Sequence, residues 1–288
     1  MTVLAGLRTL AKDRARIGLR LWGRATWRLR MSPDFVVAGA QRCGTTSLYR
    51  TLAQHPDVVP PLPGKGVHHF DTADAFARGR SWYVGHFPLR APALLRSGGR
   101  ARTGEASPYY LFHPLAAQRM EKTVPEARVV VLVRDPVERA FSAWKQERGR
   151  GFEDEDFERA LELEEARLAG EAERIVADSS YQSFHHQHHA YVARGRYAEQ
   201  LRRMEATLRP GSLLVLETDE ALAGSGEPWD RLLDHLRLHP WDPGVVPRAN
   251  ARPSHPMPEH VRRRLSDLFE GPDAELVHFL GHVPSWRS

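Results

Sequence analysis

Between Phe35 and Thr51 the chain reads FVVAGAQRCGTTSLYRT, a set of residue types suited to holding a phosphate. Gly39 and Gly44 stand at the GxxxxG spacing of a phosphate-binding turn, and the hydroxyls of Thr45, Thr46 and Ser47 follow. Backbone N–H groups at a helix start are unpaired and lie at the positive end of the helix dipole, so an anion is favoured there. A nucleoside triphosphate enzyme needs a lysine at position 45 to reach the outer phosphates. Here that position is Thr45, and the positive charge has moved inside the loop to Arg42. Such a loop favours a donor with a single 5′-phosphate group over ATP or GTP.

A second stretch, ARVVVLVRDPVERAFSAW from Ala127 to Trp144, repeats the layout of strand, turn and helix. The apolar runs Phe35 to Ala38 and Val129 to Val133 predict buried strands, and Ser47 to Leu52 predicts the start of a helix. Asp135 suits a helix cap and Pro136 the first helical turn. Arg134 is thereby expected at the carboxyl end of a strand, with Ser142 two turns into the next helix. In open α/β sheets ligands bind outside those carboxyl ends. Two anion-binding ends suit a ligand with two separated phosphates.

With both motifs in order, the chain resembles the sulfotransferases that use 3′-phosphoadenosine 5′-phosphosulfate, especially the bacterial and heparan-sulfate-modifying branch. GKGVHHFD (64–71), SWYVGHFP (81–88), TGEASPYYL (103–111), ARGRYAEQL (193–201), SLLVLETDEAL (212–222) and LGHVPSW (280–286) extend the likeness over residues 33–288. The resemblance implies an α/β fold, a central mostly parallel sheet flanked by helices in a P-loop-like architecture, over residues 32–288. It implies that the donor's 5′-phosphosulfate is held by Arg42, Cys43, Gly44, Thr45, Thr46 and Ser47 and its 3′-phosphate by Arg134 and Ser142. Arg248 and Arg252 fall in the family's late donor-binding loop. The implied reaction is transfer of a sulfuryl group to a hydroxyl, or second to an amine, of a carbohydrate, glycolipid or natural-product acceptor. A magnesium-dependent phosphoryl transferase and a non-catalytic relative that only binds the donor are the rival readings.

Negative charge builds on the leaving phosphate during sulfuryl transfer, so a cation near the bridging oxygen lowers the barrier. Arg42 fits charge stabilisation but not proton donation, because a guanidinium keeps its proton. In the resembling sugar enzymes a glutamate in the segment of Lys65 deprotonates the acceptor; here Gly66 stands in its place. His68, which matches a histidine of the family pattern, is the replacement base, since imidazole titrates near neutral pH. Glu105 is a second carboxylate candidate, and Lys65 is expected to face the sulfuryl oxygens or the acceptor. Ala106 stands where heparan-type enzymes often carry a lysine, which opens the acceptor to neutral glycans. Tyr109, Tyr110, Trp82 and Tyr83 are either cleft or core residues. His185 and His189 have a zinc-compatible spacing without a third ligand, so no metal is expected.

The 288 residues, 41% hydrophobic, suffice for one sizeable core. The acidic stretch 147–174 has Phe152, Phe157, Leu161 and Leu168 at roughly helical spacing and predicts a helical insertion over that core. Cys43, the single cysteine, excludes an intrachain disulfide and fits a reducing, cytoplasmic setting; its place in the loop invites a nucleophile reading, but a small residue is all the loop needs there. The first 31 residues form a basic arm: Arg8, Lys12, Arg14, Arg16, Arg20, Arg24, Arg28 and Arg30 against Asp13 alone. Leucines, Ile17 and Trp22 are interspersed at helical spacings, with no apolar run long enough to span a bilayer. The arm can lie on an anionic membrane surface, dock on the protein's own domain, or form a frayed leader. It supplies much of the net charge of +5, so that charge gives no case for a nucleic-acid partner. Oligomeric state has no signature in the sequence.

Overall fold

Four short apolar runs pair side by side as strands in a computed structural model that describes residues 18–62, 65–247 and 256–288. They are β1 (Phe35–Gly39), β2 (Gly104–Ala106), β3 (Arg128–Val133) and β4 (Leu213–Glu217), in the order β2-β1-β3-β4. Every neighbouring pair is parallel. A parallel sheet is covered on both faces, which is why residues 35–38 of β1 and 129–133 of β3 read as unbroken apolar runs without alternation. Phe35, Val36, Val37, Val130, Val131 and Leu132 are all fully buried, each worth about 1.5–3 kcal/mol of burial. β2 approaches β1 so closely that a Cβ at Gly104 would lie 2.5 Å from the Phe35 ring.

The helices that matter to the site leave the carboxyl ends of these strands. They are α1 (Thr45–Leu52) after β1, α2 (Pro136–Gly149) after β3, and α3 (Thr218–Ala221) after β4. A fourth, α4 (Tyr197–Thr207), packs on the sheet through Tyr197, Leu201 and Met204. The helix expected from Ser47 begins two residues earlier, at Thr45, because Gly44 in the left-handed region (φ 76°) turns the chain directly into it. Asp135 caps α2 as its residue type suggests, accepting a hydrogen bond from the Val137 amide at 2.8 Å, with Pro136 in the first turn.

The acidic stretch is an ordered helix, α5 (Phe157–Leu168), started by Asp156 accepting from the Arg159 amide at 2.9 Å. Phe157 and Ala160 join Phe141, Tyr191, Leu265 and Phe269 in a second apolar cluster beside α2. Some of the acids are structural: Glu164 is buried and accepts the Val192 and Ala193 amides at 2.7 and 2.8 Å. From the basic arm, residues 18–25 are helical and rest on the domain where Gly23 meets Gly85. A Cβ at Gly23 would come within 2.4 Å of the Gly85 carbonyl. The described part of the arm thus packs on the protein's own domain.

Candidate active site

A cleft of about 770 Å³ opens where β1, β3 and β4 end. Its floor is the loop Gln41–Thr46 and the start of α1; its walls carry Lys65, Gly66 and His68 on one side and Arg134, Ser142 and Gln146 on another. Arg42 adopts a positive φ of 73°, as does Gly44 at 76°. A Cβ at Gly44 would press to 3.0 Å against Thr218 and Leu222, so the turn has no room for a side chain there. α1 begins at Thr45, so its first backbone N–H groups have no intrahelical partner and point at the loop.

Arg134 directly follows the last residue of β3 and Ser142 lies on α2, the strand-end placement that the spacing predicts. Arg134 lines the cleft, and its Nε is buried without a hydrogen-bond partner. Ser142 faces the same space, and Arg42 Nε donates to its Oγ at 3.0 Å while Nη1 reaches Gln146. Arg42 therefore bridges the phosphate loop to α2 instead of pointing only at the first phosphate position. Two hydroxyls lock this end of the sheet. Thr218 Oγ1 donates to the carbonyls of Cys43 and Val133, both at 3.0 Å, and Tyr197 Oη donates to the Arg134 carbonyl at 3.0 Å. Neither residue stood out in the sequence; the signal for Thr218 was its place directly after the apolar run of β4, where the same strand-end rule applies.

On the opposite wall Lys65 Nζ donates to Thr46 Oγ1 at 2.5 Å. Burial, aided by the nearby Arg50 charge, lowers the Lys65 pKa to about 8. His68 is half-exposed, in the left-handed region at φ 52°, with its backbone N–H donating to Ser107 Oγ at 3.1 Å. Its Nδ1 lies 2.9 Å from Asp71 Oδ2, which leaves Nε2 on the cleft side. Burial pulls the His68 pKa down, but the hydrogen bond and charge of Asp71, joined by Glu105, outweigh it and raise the pKa. Nε2 stands 3.4 Å from where a Cβ at Gly66 would be. The imidazole edge thus borders the space left by the missing glutamate side chain.

Glu105 does not reach the cleft. It is fully buried and accepts four hydrogen bonds, from the Val67 amide (2.8 Å), Ser107 Oγ (2.7 Å), Tyr83 Oη (2.9 Å) and Tyr110 Oη (2.9 Å). Burial raises its pKa, and its lone pairs are spent on holding the Lys65–His68 segment in place. Tyr83 and Tyr110 are thereby core residues, and only Tyr109 of the aromatic group borders the cleft, its hydroxyl on His186 Nδ1 at 2.6 Å. His69 is buried, stacked on Tyr83 at 4.7 Å, and burial lowers its pKa to about 4. The Cys43 thiol is fully buried 3.5 Å from Tyr197 Oη and burial pushes its pKa up, so only its backbone belongs to the loop, in keeping with a small residue filling the turn and not with a nucleophile. His185 and His189 face one another, Nδ1 to Nδ1 at 2.8 Å, and among the described residues no cluster of three metal-ligating side chains occurs. Arg248 and Arg252 lie outside the described residues.

The family model for the sulfotransferase domain matches residues 32–220, which contain both anion positions and the Lys65–His68 wall. The chain belongs to the sulfotransferase family. A solved sulfotransferase from Alicyclobacillus acidocaldarius superimposes with a TM-score of 0.61 at 28% identity, covering 90% of this chain and all of that one. In sequence, the chain is 24% identical over 284 residues to a bifunctional heparan sulfate N-deacetylase/N-sulfotransferase 1 of Caenorhabditis elegans, covering 88% of this chain and 31% of that protein. It is 29% identical over 114 residues to heparan sulfate glucosamine 3-O-sulfotransferase 5 of Mus musculus, covering 40% of this chain and 30% of that protein. The sulfotransferase chain thus spans less than a third of the length of these curated relatives.

Proposed function

We propose that this sulfotransferase moves a sulfuryl group from 3′-phosphoadenosine 5′-phosphosulfate to a hydroxyl of a carbohydrate-type acceptor, with His68 as the general base. The observation that carries the reading is the His68–Asp71 pair facing the cleft at the space left by Gly66. The donor fits the residues present: a helix N-terminus with three hydroxyls meets one phosphate, and Arg134, whose buried Nε lacks a partner, meets the other with Ser142. When bound, the donor supplies an electrophilic sulfur and a phosphate leaving group. Neutral His68 Nε2 takes the proton of the acceptor hydroxyl as the oxygen attacks, and Asp71 stabilises the imidazolium that forms. Lys65 and Arg42 offset the negative charge that collects on the leaving oxygen. A protein that only binds the donor would have no need of a polarised histidine at the empty wall.

Calorimetric titration with adenosine 3′,5′-bisphosphate, beside ATP and adenosine 5′-monophosphate, tests the donor site. Tight binding that depends on the 3′-phosphate and ignores magnesium is expected; preference for magnesium-ATP would sink the reading. His68→Ala is expected to lower turnover on a screened glycan acceptor about 10²–10⁴-fold, the worth of a general base, with donor affinity retained. Arg134→Ala should instead weaken the donor.

A further inference from the structure

The docked end of the arm leaves apolar side chains that no described residue covers. Leu19, Leu21, Trp22 and Leu29 are 48–65% exposed, and Leu62 beside them is 66% exposed. Leu62 is fixed to the same region by its amide on the His86 carbonyl at 2.8 Å. Trp22 and Leu19 share a shallow groove with Trp82 and His86, and the Arg30 guanidinium sits over the Trp22 ring at 4.3 Å. Arginines are interspersed with these side chains. Arg20, Arg24 and Arg28 are exposed, Arg78 lies over the Trp82 ring at 5.3 Å, and residues 18–33 contain no Asp or Glu. Leucines and tryptophans ringed by arginines match a bilayer interface, where the apolar groups enter the headgroup boundary and the arginines meet anionic lipid. Among the described residues no helix is long and apolar enough to cross a membrane.

We infer that the surface formed by residues 19–29 and Leu62 is a docking face for an anionic lipid bilayer. It stands apart from the donor-binding residues but is joined to the cleft along the chain, since Lys65, three residues after Leu62, lines the cleft wall. Vesicle binding is therefore separable from donor binding.

The test is cosedimentation of the full chain with vesicles of phosphatidylcholine alone, and with roughly one third phosphatidylglycerol, at low and high salt. Binding to the anionic vesicles only, weakened by salt, is expected. The triple variant Arg20→Gln/Arg24→Gln/Arg28→Gln should lose about a hundredfold in vesicle affinity, the sum of about 1 kcal/mol for each arginine. Leu19→Ser/Trp22→Ser should lose at least about tenfold, as apolar area leaves the interface. A control triple of the same charge, Arg231→Gln/Arg263→Gln/Arg264→Gln, should bind as the parent chain does. Titration with adenosine 3′,5′-bisphosphate should be unchanged in all three, which shows that they are folded. No binding to anionic vesicles would overturn the proposal. So would equal losses in the control triple, which would mean net charge alone acts, or full binding by both arm variants, which would place the contact in residues 1–17. Concentration-dependent dimerisation abolished by Leu19→Ser/Trp22→Ser, without vesicle binding, would assign the face to a second copy instead.

Discussion

With His68 as the proposed base, the activity of this sulfotransferase is expected to carry an acid limb. A base must be neutral to take a proton, and Asp71 raises the His68 pKa despite burial. Activity should therefore rise with pH through a midpoint above the ordinary histidine value of about 6.5. Lys65, lowered to about 8, loses its charge above that pH, so the profile of kcat/KM should be a bell that falls on the alkaline side of about 8. Asp71→Asn removes the partner that raises the histidine and leaves the burial that lowers it; the acid limb should shift to lower pH and kcat should fall. A limb unchanged in Asp71→Asn would exclude His68 as its source. Gly66, at φ 78°, has its would-be Cβ 3.1 Å from the Ala106 carbonyl, so Gly66→Ala should cost about 1–2 kcal/mol in urea melts. Putting back the family's glutamate at that position carries the same strain. His68 and Lys65 were legible as residue types in a known segment; that Glu105 lies under them was not, because a buried carboxylate and a cleft carboxylate look alike in a sequence.

At the scale of elements, the site depends on how firmly each strand end is tied to the next. The Asp135 cap orients the first turn of α2, next to Arg134 and ahead of Ser142. Asp135→Ala should destabilise by about 1 kcal/mol in thermal or denaturant unfolding. Thr218 joins the ends of β1 and β3 through two carbonyls. Thr218→Val, which keeps shape and removes the donor, should weaken adenosine 3′,5′-bisphosphate binding several-fold in calorimetry while the protein stays folded. The two strand–turn–helix units were readable because strand burial, capping and turn residues are local preferences. The ties between them were not, since Thr218 and Cys43 are far apart in the chain and nothing local marks the pair.

For the whole molecule, the second apolar cluster decides whether α2 stands where the cleft needs it. α5 packs Phe157 on Phe141 at a ring distance of 5.0 Å, so Phe157→Ala should cost about 3–5 kcal/mol and lower Tm accordingly. The last residues close the far side: Ser285 and Trp286 border the cleft, the Ser285 amide donating to Glu217 at 2.8 Å and Trp286 Nε1 to Asp273 at 2.9 Å. Residues from Gln41 to Trp286 thus share one cleft, and its shape belongs to the fold as a whole.

What the sequence by itself determined was the residue chemistry of the two strand-end turns and the parallel α/β frame, because both are written in contiguous segments where glycine, hydroxyl, proline and apolar residues act on their own neighbours. Only the tertiary structure decided which carboxylate supports the loop, that His68 and not its neighbour His69 faces the cleft, and that Arg42 reaches across to Ser142. Those outcomes depend on burial and on hydrogen bonds between residues far apart in the chain, 100 positions for Arg42 and Ser142 and 175 for Cys43 and Thr218. A side chain's chemistry is in its type, but its access to water and to a partner is fixed only when distant segments pack together.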